Sequence, residues 1–258
     1  MRFHFDHVVV VVESLTQAVE RYAAAGFSVS PGGRHDVLPT ENALIPFADG
    51  SYLELIAVRD PETREDLRAL AASDRWEHHL KGVSAIGRRF LPRLAGAPGV
   101  CDYVLTGSDL ERFAAAARRR GVAMTGPVPL EREKPDGTRL AMRLLLPADG
   151  QWPFLIEDRT PRALRVPEGA AATTHPNGAT GIASVTVQVA AVPVSALELA
   201  GLFDVTPRVD GEGRTRLRLA GIEVVLIEGG PAGAREAALV GVGRLPPAIE
   251  AEGIRTAG

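Results

Sequence analysis

Two side chains with acid–base and metal-binding chemistry, His7 and Glu54, lie within short apolar segments of this 258-residue chain. His7 is followed by the valine run 8–12, and Glu54 lies in the apolar segment 52–58. An imidazole and a carboxylate among apolar neighbours cost free energy unless each meets a partner, a metal ion or a ligand. The residues themselves leave three interpretations open: a His–Glu hydrogen bond, two groups at a wet rim, or a functional site.

The two residues must be positioned by strands, and the alternation of side chains assigns each of them to a face. Successive side chains of a strand point to opposite faces of the sheet. In residues 5–12 one face carries Val8, Val10 and Val12, whereas the other carries Phe5, His7, Val9 and Val11. In residues 52–57 one face carries Leu53, Leu55 and Ala57, whereas the other carries Tyr52, Glu54 and Ile56. The purely aliphatic sets suit a face covered by helices, so we predict that His7 and Glu54 lie on the opposite, open face.

Three segments of the chain show the same order of signals, which is a β-branched run, a polar helix start, a short helix and then strands. They span residues 5–29, 100–124 and 182–205, and the third is the faintest. Aligning Leu15 with Leu110 also aligns Gly26 with Gly121 without a gap. Glycine at this position is typical of a helix that ends in a left-handed residue. Short strands follow each helix, with turn signals such as Pro135-Asp136-Gly137 between them.

Each segment is therefore predicted to fold as a βαβββ unit, which makes the chain an α+β protein. We expect mixed, mostly antiparallel curved sheets that are backed by helices. The predicted organisation is a region 1–178 with paired units at 3–58 and 100–158 and a helical connector at 59–99, followed by a third unit at 179–230. Residues 231–258, rich in Gly, Pro and Ala, are expected to form a loosely packed C-terminal tail.

Composition and charge narrow the classes of function. The net charge is −3, so no general basic surface favours nucleic acid or an anionic membrane as a partner. The single cysteine, Cys101, excludes an internal disulfide framework and any multi-cysteine zinc or iron–sulfur site. No P-loop or Rossmann glycine signature is present, which argues against a nucleotide cofactor. Together with the lack of a signal peptide or a membrane-length apolar run, these features predict a cytoplasmic protein whose partner is a small molecule.

Five stretches occur in a fixed order along the chain: FDHVVVVV, RHDVLPTENALIPFADGSYLELI, KPDGTRLAMRL, PFLIEDR and HPNGATGI. Together they resemble the glyoxalase-like domain proteins of the vicinal oxygen chelate superfamily, which includes glyoxalase I, bleomycin resistance proteins and extradiol dioxygenases. The resemblance covers residues 3–190, and the third unit extends it to residue 228. It implies a cup formed by two paired units, with a divalent metal ion (Mn, Fe, Zn, Ni or Mg) at its base.

The resemblance also implies which residues would bind that metal. In catalytic members of the superfamily the ligands include a histidine of the first strand and a glutamate of the fourth strand, and His7 and Glu54 match these positions. In the second unit the histidine position is Asp102, and Glu157 reaches the glutamate position only if the register slips by one residue. The implied metal ligands are therefore His7, Glu54 and Asp102, with Glu54 also catalytic. Asp102 could equally be a strand-start carboxylate in solvent, and a set of two histidines and two glutamates is absent.

Five residues are candidates for substrate binding: His35, Asn42, Tyr52, Arg143 and His175. In the resembling proteins the RHDVLPTEN stretch lines the pocket, which assigns His35 and Asn42 to substrate contact; an Asx-turn at Asn42 is the alternative. Tyr52 shares the predicted face of Glu54. Arg143 lies on a predicted strand, where it either faces the cup and binds a carboxylate or is a solvated arginine. His175 matches a histidine of the family pattern, although its turn neighbours already explain the HPNG motif.

These features give three hypotheses on function. The first is a metal-dependent lyase, isomerase or dioxygenase that acts on a small oxygenated metabolite. The second is a metal-free ligand-binding or sequestering protein of the same fold, and the third is a structural module whose cup is filled by side chains. The units at 3–58 and 100–158 are expected to form the functional pair; the alternative is that the third unit pairs with the first. Assembly of a homodimer through the third unit is compatible with the sequence.

Overall fold

The first repeated segment folds around a helix with recognisable ends. The computed structural model describes residues 3–134, 136–148 and 150–257. The first unit comprises β1 (Phe3–Val11), α1 (Leu15–Ala24), β2 (Ser30–Arg34), β3 (Thr40–Pro46) and β4 (Tyr52–Val58). Ser14 caps α1 by accepting a hydrogen bond from the Gln17 amide, and Gly26 adopts a φ of +81° just after the helix. These five elements follow the order of the predicted βαβββ unit.

Three helices connect the first unit to the second: α2 (Pro61–Ala71), α3 (Trp76–Gly82) and α4 (Ala85–Ala95). The second unit repeats the order of the first with β5 (Gly99–Gly107), α5 (Leu110–Arg119), β6 (Met124–Glu133), β7 (Arg139–Pro147) and β8 (Phe154–Asp158). Gly121 after α5 has a φ of +79°, as the alignment with Gly26 predicts. In the predicted turn between β6 and β7, Pro135 lies outside the described residues.

Two short helices, α6 (Arg162–Arg165) and α7 (Ala170–Thr173), lead to the third unit. This unit comprises β9 (Gly181–Val189), α8 (Val192–Phe203), β10 (Arg208–Val209), β11 (Thr215–Leu219) and β12 (Ile222–Glu228). The C-terminal segment follows with β13 (Gly233–Val240), α9 (Pro247–Glu250) and β14 (Ile254–Thr256). None of the helices in the described part of the chain is long and apolar enough to cross a bilayer.

The strands form two sheets with related connectivity. In the larger sheet the order is β2-β3-β4-β1-β5-β8-β7-β6, and β1 and β5 pair antiparallel at its centre. Within each unit the fourth strand runs parallel to the first, as β4 does beside β1 and β8 beside β5. The first two units thus form one continuous curved sheet backed by helices, which confirms the predicted α+β fold class.

Residues 231–258 are not the loosely packed tail that their composition suggested. In the smaller sheet the order is β10-β11-β12-β9-β13-β14, with β13 antiparallel to β9 and parallel to β14. β13 and β14 thus take the positions of the first and fourth strands of a further unit. Ala234, Ala237, Leu239 and Ile254 are buried in the core. The small residues that indicated a loose segment instead allow close packing of these strands.

Each face of the larger sheet packs against a different set of elements. The face with Val8 and Leu53 packs against α1, α5 and the smaller sheet in one continuous core. The opposite face, with Ile56, packs against Phe90 and Leu94 of α4. The connector between the first two units therefore fills part of the cup that the curved sheet forms, and a cavity remains beside His7.

A β-bulge at Asp6 changes the alternation along β1. Phe5 pairs with Leu105 and His7 with Val104, so Asp6 is an extra residue on β1. Phe5 consequently packs against the helix-covered core, opposite His7, and the prediction that the two share a face is wrong. The bulge also brings the Asp6 carboxylate within hydrogen-bond distance of the His7 ring.

Candidate functional site

A cavity of about 110 Å³ lies on the inner face of the larger sheet, between the first two units and α4. Its size is close to that of an apolar cavity of about 150 Å³ that holds one benzene molecule. More than half of the lining residues are apolar, and they come from both units and from α4. The polar part of the lining includes His7, His35, Asn42, Glu54 and Arg132. The cavity is therefore suited to a small molecule with both apolar and polar groups.

His7 lies on β1 at the wall of this cavity and is buried. Its Nδ1 is hydrogen-bonded to the Asp6 carboxylate at 2.8 Å, and its ring stacks on Tyr52 with 4.4 Å between the ring centroids. Its Nε2 lies 3.2 Å from Oε2 of Glu54 at an angle that forms no hydrogen bond, so Nε2 is a buried nitrogen without a hydrogen-bond partner. Burial would lower the pKa of His7, but Asp6 and the Glu54 carboxylate outweigh burial and raise that pKa.

Glu54 on β4 faces the same cavity and is fixed by Asn42 on β3. The Asn42 Nδ2 donates a hydrogen bond to Oε1 of Glu54 at 2.5 Å, and the Gly33 amide donates to the Asn42 Oδ1 at 2.8 Å. A Cβ on Gly32 would lie 2.0 Å from that Oδ1, so only glycine allows this close approach. Burial would raise the pKa of Glu54, but chiefly His7 lowers it to about 2. Glu54 is therefore ionised and forms a buried ion pair with His7.

Behind His7, the Asp6 carboxylate is neutralised by two arginines. Arg165 Nη1 donates to Asp6 Oδ2 at 3.0 Å, and Arg162 Nε donates to Oδ1 at 3.1 Å. Arg165 also donates to the hydroxyl of Tyr52 at 2.5 Å. Although burial opposes ionisation, the charge of Arg165 and the bond to His7 hold the pKa of Asp6 well below its usual range. Asp6 is therefore a permanent acceptor that fixes the orientation of the His7 ring.

His35 contributes a neutral imidazole to the cavity. Its Nδ1 is 2.8 Å from Oγ1 of Thr40, and its Nε2 is 3.8 Å from Oε1 of Glu54, beyond hydrogen-bond distance. Burial is the main cause that lowers the pKa of His35, so the ring is neutral at physiological pH. The structure thus brings together five of the predicted site residues: His7, His35, Asn42, Tyr52 and Glu54.

Asp102 is not part of this group. Its buried carboxylate accepts two hydrogen bonds from Arg89 of α4, at 2.7 Å and 2.8 Å. Arg89 also donates to the backbone carbonyls of Pro147 and Trp152, which fixes the guanidinium against the second unit. The residue that matches His7 in the second unit therefore binds a buried arginine, a partner that the sequence prediction did not include.

Arg143 also lies away from the cavity. It points to the helix-covered face of β7, where it pairs with Glu111 of α5 and with Glu157 of β8. Its neighbours on the strand, Met142 and Leu144, line the cavity instead. Alternation on β7 and β8 thus excludes Arg143 and Glu157 from the inner face, and the carboxylate-binding role predicted for Arg143 is not supported.

His175 is used in the packing of a loop. Its ring lies between Phe27 and Phe47, with centroid distances of 5.8 Å and 5.2 Å. Its Nδ1 accepts a hydrogen bond from the Ser28 amide at 2.9 Å, and its Nε2 donates to the Pro46 carbonyl at 3.0 Å. Because both ring nitrogens have backbone partners, His175 has no free atom for the substrate contact that was predicted.

The donors around His7 do not fit the metal centre that the resemblance implies. Among the described residues, no three His, Cys, Asp or Glu side chains are grouped so that they could hold a metal ion. His7 and Glu54 supply two donors, but Asp102 is bonded to Arg89. Phe154 occupies the register position in the second unit that Glu54 occupies in the first. The described residues thus provide half of such a centre, which is too few ligands for a tightly held ion.

Three residues of the site were not predicted from the sequence: Asp6, Arg132 and Arg165. Asp6 directly precedes His7, and ordinary alternation would place the two side chains on opposite faces of the strand. The bulge that brings them together cannot be predicted from the sequence. Arg165 follows the second unit in a short helix, and no spacing rule relates it to Asp6. Arg132 is the one that alternation could have found, because it lies two residues after the cavity-lining Leu130 on β6.

Comparison with known proteins places this site in a family context. The sequence model of the glyoxalase-like domain family matches residues 5–203 of the chain. A search of curated protein sequences gives no match. The matched region contains both units that form the cavity and the start of the third unit.

Solved structures of the same fold include a hypothetical protein from Staphylococcus aureus. It shares 17% sequence identity with this chain at a TM-score of 0.69, and the match covers 94% of this chain and 92% of that chain. A mutant 4-hydroxymandelate synthase from Streptomyces coelicolor is similar at 12% identity and a TM-score of 0.54, over 93% of this chain and 71% of that one. A xylose isomerase-like TIM barrel/4-hydroxyphenylpyruvate dioxygenase fusion protein is similar at 13% identity and a TM-score of 0.52, over 92% and 36%. At these identities the likeness establishes the fold alone.

Proposed function

The chain belongs to the glyoxalase-like domain family, and on this premise we propose that it is an isomerase or lyase that enolises a small carbonyl metabolite between His7 and Glu54. The observation that carries the proposal is the buried Nε2 of His7, which has no hydrogen-bond partner and lies beside Glu54 on the wall of the cavity. A buried polar atom left without a partner costs about 1–3 kcal/mol. Such an atom is expected where a bound molecule supplies the missing partner.

His7 and Glu54 have the properties of an acid and a base for this step. Protonated His7 donates its Nε2 proton to the carbonyl oxygen of the substrate, while Glu54 removes a proton from the adjacent carbon. The electron pair of the C–H bond forms the new C=C bond, and the π pair of the carbonyl forms the new O–H bond. In an isomerisation, Glu54 returns its proton to the former carbonyl carbon, and a hydroxyl on the adjacent carbon loses its proton to His7 and becomes the new carbonyl. In a lyase reaction, the enol O–H proton returns to His7, the carbonyl re-forms, and the C=C pair expels a leaving group from the next carbon, which takes the proton from Glu54.

The low pKa of Glu54 makes it a weak base in the free protein. Its basicity rises during the reaction, because its pKa depends on the charge of His7. His7 is the largest influence that lowers the pKa of Glu54 to about 2. Transfer of the His7 proton to the substrate removes that positive charge. The carboxylate, which burial alone would make more basic, then becomes a stronger base as the proton transfer proceeds.

Asp6 and Asn42 are positioning residues in this proposal. Asp6 accepts the Nδ1 proton of His7, so the Nε2 proton is the one directed at the substrate. Asn42 holds Oε1 of Glu54 and leaves Oε2 for the proton on carbon. The dioxygenase version of the sequence hypothesis would need a third metal ligand, which the described residues do not provide.

Ligand binding without chemistry is the second candidate, and the lining of the cavity favours it. More than half of the lining residues are apolar, so a small amphipathic molecule could be held without any reaction. This candidate shares the cavity with the first but assigns no proton transfer to His7.

Proton NMR in heavy water separates the two candidates. Hydroxyacetone and 2-oxobutyrate are incubated with the protein, and the loss of the C–H signals next to the carbonyl is followed. We expect exchange for deuterium that slows about a hundredfold or more in His7→Gln and in Glu54→Gln. His78→Gln, which changes an exposed histidine on α3, should match the wild type. Saturable binding without exchange would contradict the enzyme proposal and support the binding protein.

A further inference from the structure

Buried polar atoms without a hydrogen-bond partner are concentrated in one place in this molecule. In the described part of the chain they are three side-chain atoms, Nε2 of His7 and Nε and Nη1 of Arg132. Both residues line the same cavity. Because unsatisfied buried donors are rare in folded proteins, their coincidence in one cavity points to a ligand that pairs with both residues.

Arg132 reaches the cavity from the edge of the larger sheet. It lies on β6, the strand at the opposite end of the sheet from β2. A Cβ on Gly33 of β2 would nevertheless lie 3.8 Å from Nη1 of Arg132. The sheet is thus curved so far that its two edges approach each other, and the guanidinium of Arg132 bridges them at the cavity.

The charge of Arg132 is not compensated by the protein, in contrast to other arginines of this region. Arg165 pairs with Asp6 and Asp158, whereas the guanidinium of Arg132 forms no ion pair or hydrogen bond with any described residue. The acidic residues of the cavity lining, Asp36, Glu54 and Glu131, do not contact its guanidinium within ion-pair distance. A partly buried guanidinium without a counter-ion is costly, and an anionic ligand would remove that cost.

We infer that Arg132 binds the carboxylate of the substrate, so the substrate class is a small oxo acid whose carbonyl reaches His7. The inference rests on the proposed function and makes its substrate more specific. A planar carboxylate accepts two parallel hydrogen bonds from a fork of the guanidinium, which is either Nη1 with Nη2 or Nε with Nη2. Each of the two unpartnered nitrogens of Arg132 belongs to one such fork, so a carboxylate would satisfy one of them. One negative charge matches the one arginine of the described cavity lining that has no side-chain partner, and a cavity of about 110 Å³ suits a remainder of a few carbon atoms.

Binding of a matched pair of compounds tests the inference. Dissociation constants for 2-oxobutyrate and its methyl ester are measured by NMR titration with the wild type, Arg132→Gln, Arg132→Lys and Arg139→Gln. The wild type should bind the carboxylate at least about tenfold more tightly than the ester, which corresponds to one lost charged hydrogen-bonding partner. Arg132→Gln should bind both compounds equally, and Arg132→Lys should keep part of the preference. Arg139, whose side chain is 88% exposed on β7, provides the control, and its variant should behave as the wild type.

Two outcomes would overturn the inference: equal binding of acid and ester by the wild type, or an unchanged preference in Arg132→Gln. If neither compound binds, the assignment of the cavity to small oxo acids fails. Proton exchange on neutral hydroxyacetone provides the separate test of the proposed function, because it depends on His7 and involves no carboxylate. Arg139→Gln, at an exposed position, should show the exchange rate of the wild type. A carboxylate preference without any exchange would leave the role of Arg132 intact and overturn the enzyme proposal alone. A thermal unfolding temperature of Arg132→Gln that is no lower than that of Arg139→Gln would show that the fold is retained.

Discussion

His7 Nε2 and Glu54 Oε2 lie 3.2 Å apart on the wall of the cavity and are not joined by a hydrogen bond. Each is fixed from behind, His7 by Asp6 and Glu54 by Asn42. The two charges attract each other across a poorly aligned contact, so a ligand in the cavity can accept the Nε2 proton with better geometry. This relationship is the basis of the proton transfer proposed for the site.

The ion pair predicts a specific dependence of stability on pH. The pKa of His7 is raised in the folded protein above its ordinary value of 6.5, so its contribution to stability is fully present below pH 6.5 and is lost as the pH rises through the folded pKa. The pKa of Glu54 is lowered from 4.5 to about 2, so its contribution is present above pH 4.5 and is lost as the pH falls toward 2. The contribution of this pair to the free energy of unfolding should thus be largest between pH 4.5 and 6.5.

Urea unfolding of the wild type and of His7→Gln at a series of pH values checks this prediction. The difference in unfolding free energy between the two proteins should shrink as the pH rises above 6.5. His78→Gln, at an exposed position, should show a constant difference over the same range. A difference that grows with rising pH would contradict the assignment of a raised pKa to His7.

The buried ion pair between Arg89 and Asp102 should be important for stability. Removal of one partner of a buried pair leaves an uncompensated charge and costs about 3–5 kcal/mol. We therefore expect Asp102→Asn to lower the free energy of unfolding by this amount. The double variant Asp102→Asn/Arg89→Met should recover part of the loss, because the buried Arg89 charge is then no longer left without a partner. If the loss of unfolding free energy in the double variant equals the sum of the losses in Asp102→Asn and in Arg89→Met, the two residues are not coupled.

Arg132 should have the opposite effect on stability. Since its guanidinium is partly buried and unpaired, Arg132→Met should raise the free energy of unfolding by about 1 kcal/mol. The matched variant Arg139→Met changes an exposed side chain, and its effect should stay within about 0.5 kcal/mol. Chemical denaturation of both variants measures the two changes. A marked loss of stability in Arg132→Met would mean that the guanidinium has a structural partner.

The ligand set also gives a prediction on metals. After incubation with Mn²⁺, Zn²⁺ or Ni²⁺ and removal of free ions, elemental analysis should find well under one ion per chain, because the described residues group only two donors at His7 and Glu54. Retention of one ion per chain by the wild type, with loss in His7→Ala, would contradict this and restore the metal-dependent hypothesis. Asp102→Asn should not change the metal content, since Asp102 is bonded to Arg89.

The sequence was sufficient for the features that depend on short-range periodicity. Alternation placed Glu54 and His7 on one face, and the alignment of Gly26 with Gly121 identified two equivalent helix ends. The bulge at Asp6 was not predictable, because it depends on pairing with β5 across more than ninety intervening residues. Similarly, the amphipathic pattern of the connector indicates that α4 covers an apolar surface. The pattern does not show that this surface is the inner face of the curved sheet.

The second half of the site illustrates the same limit. The resemblance assigned Asp102 by its position in the repeat, and the position is correct. Its partner, however, is Arg89 on a helix that the repeat does not contain, so the chemistry of Asp102 is set by a tertiary contact. The position of an arginine on its strand likewise determines whether it reaches the cavity. Arg143 points to the helix-covered face, whereas Arg132 lines the cavity.

Nitrogen NMR of protein labelled with ¹⁵N-histidine tests whether Nε2 of His7 is the atom that contacts the ligand. During titration with 2-oxobutyrate, the Nε2 resonance of His7 should shift saturably, while its Nδ1, bonded to Asp6, and the rings of His78 and His175 should shift little. This result would identify the unbonded nitrogen as the contact. Saturable binding of 2-oxobutyrate with an unchanged His7 resonance would place the ligand elsewhere and contradict the role of Nε2 as the ligand contact.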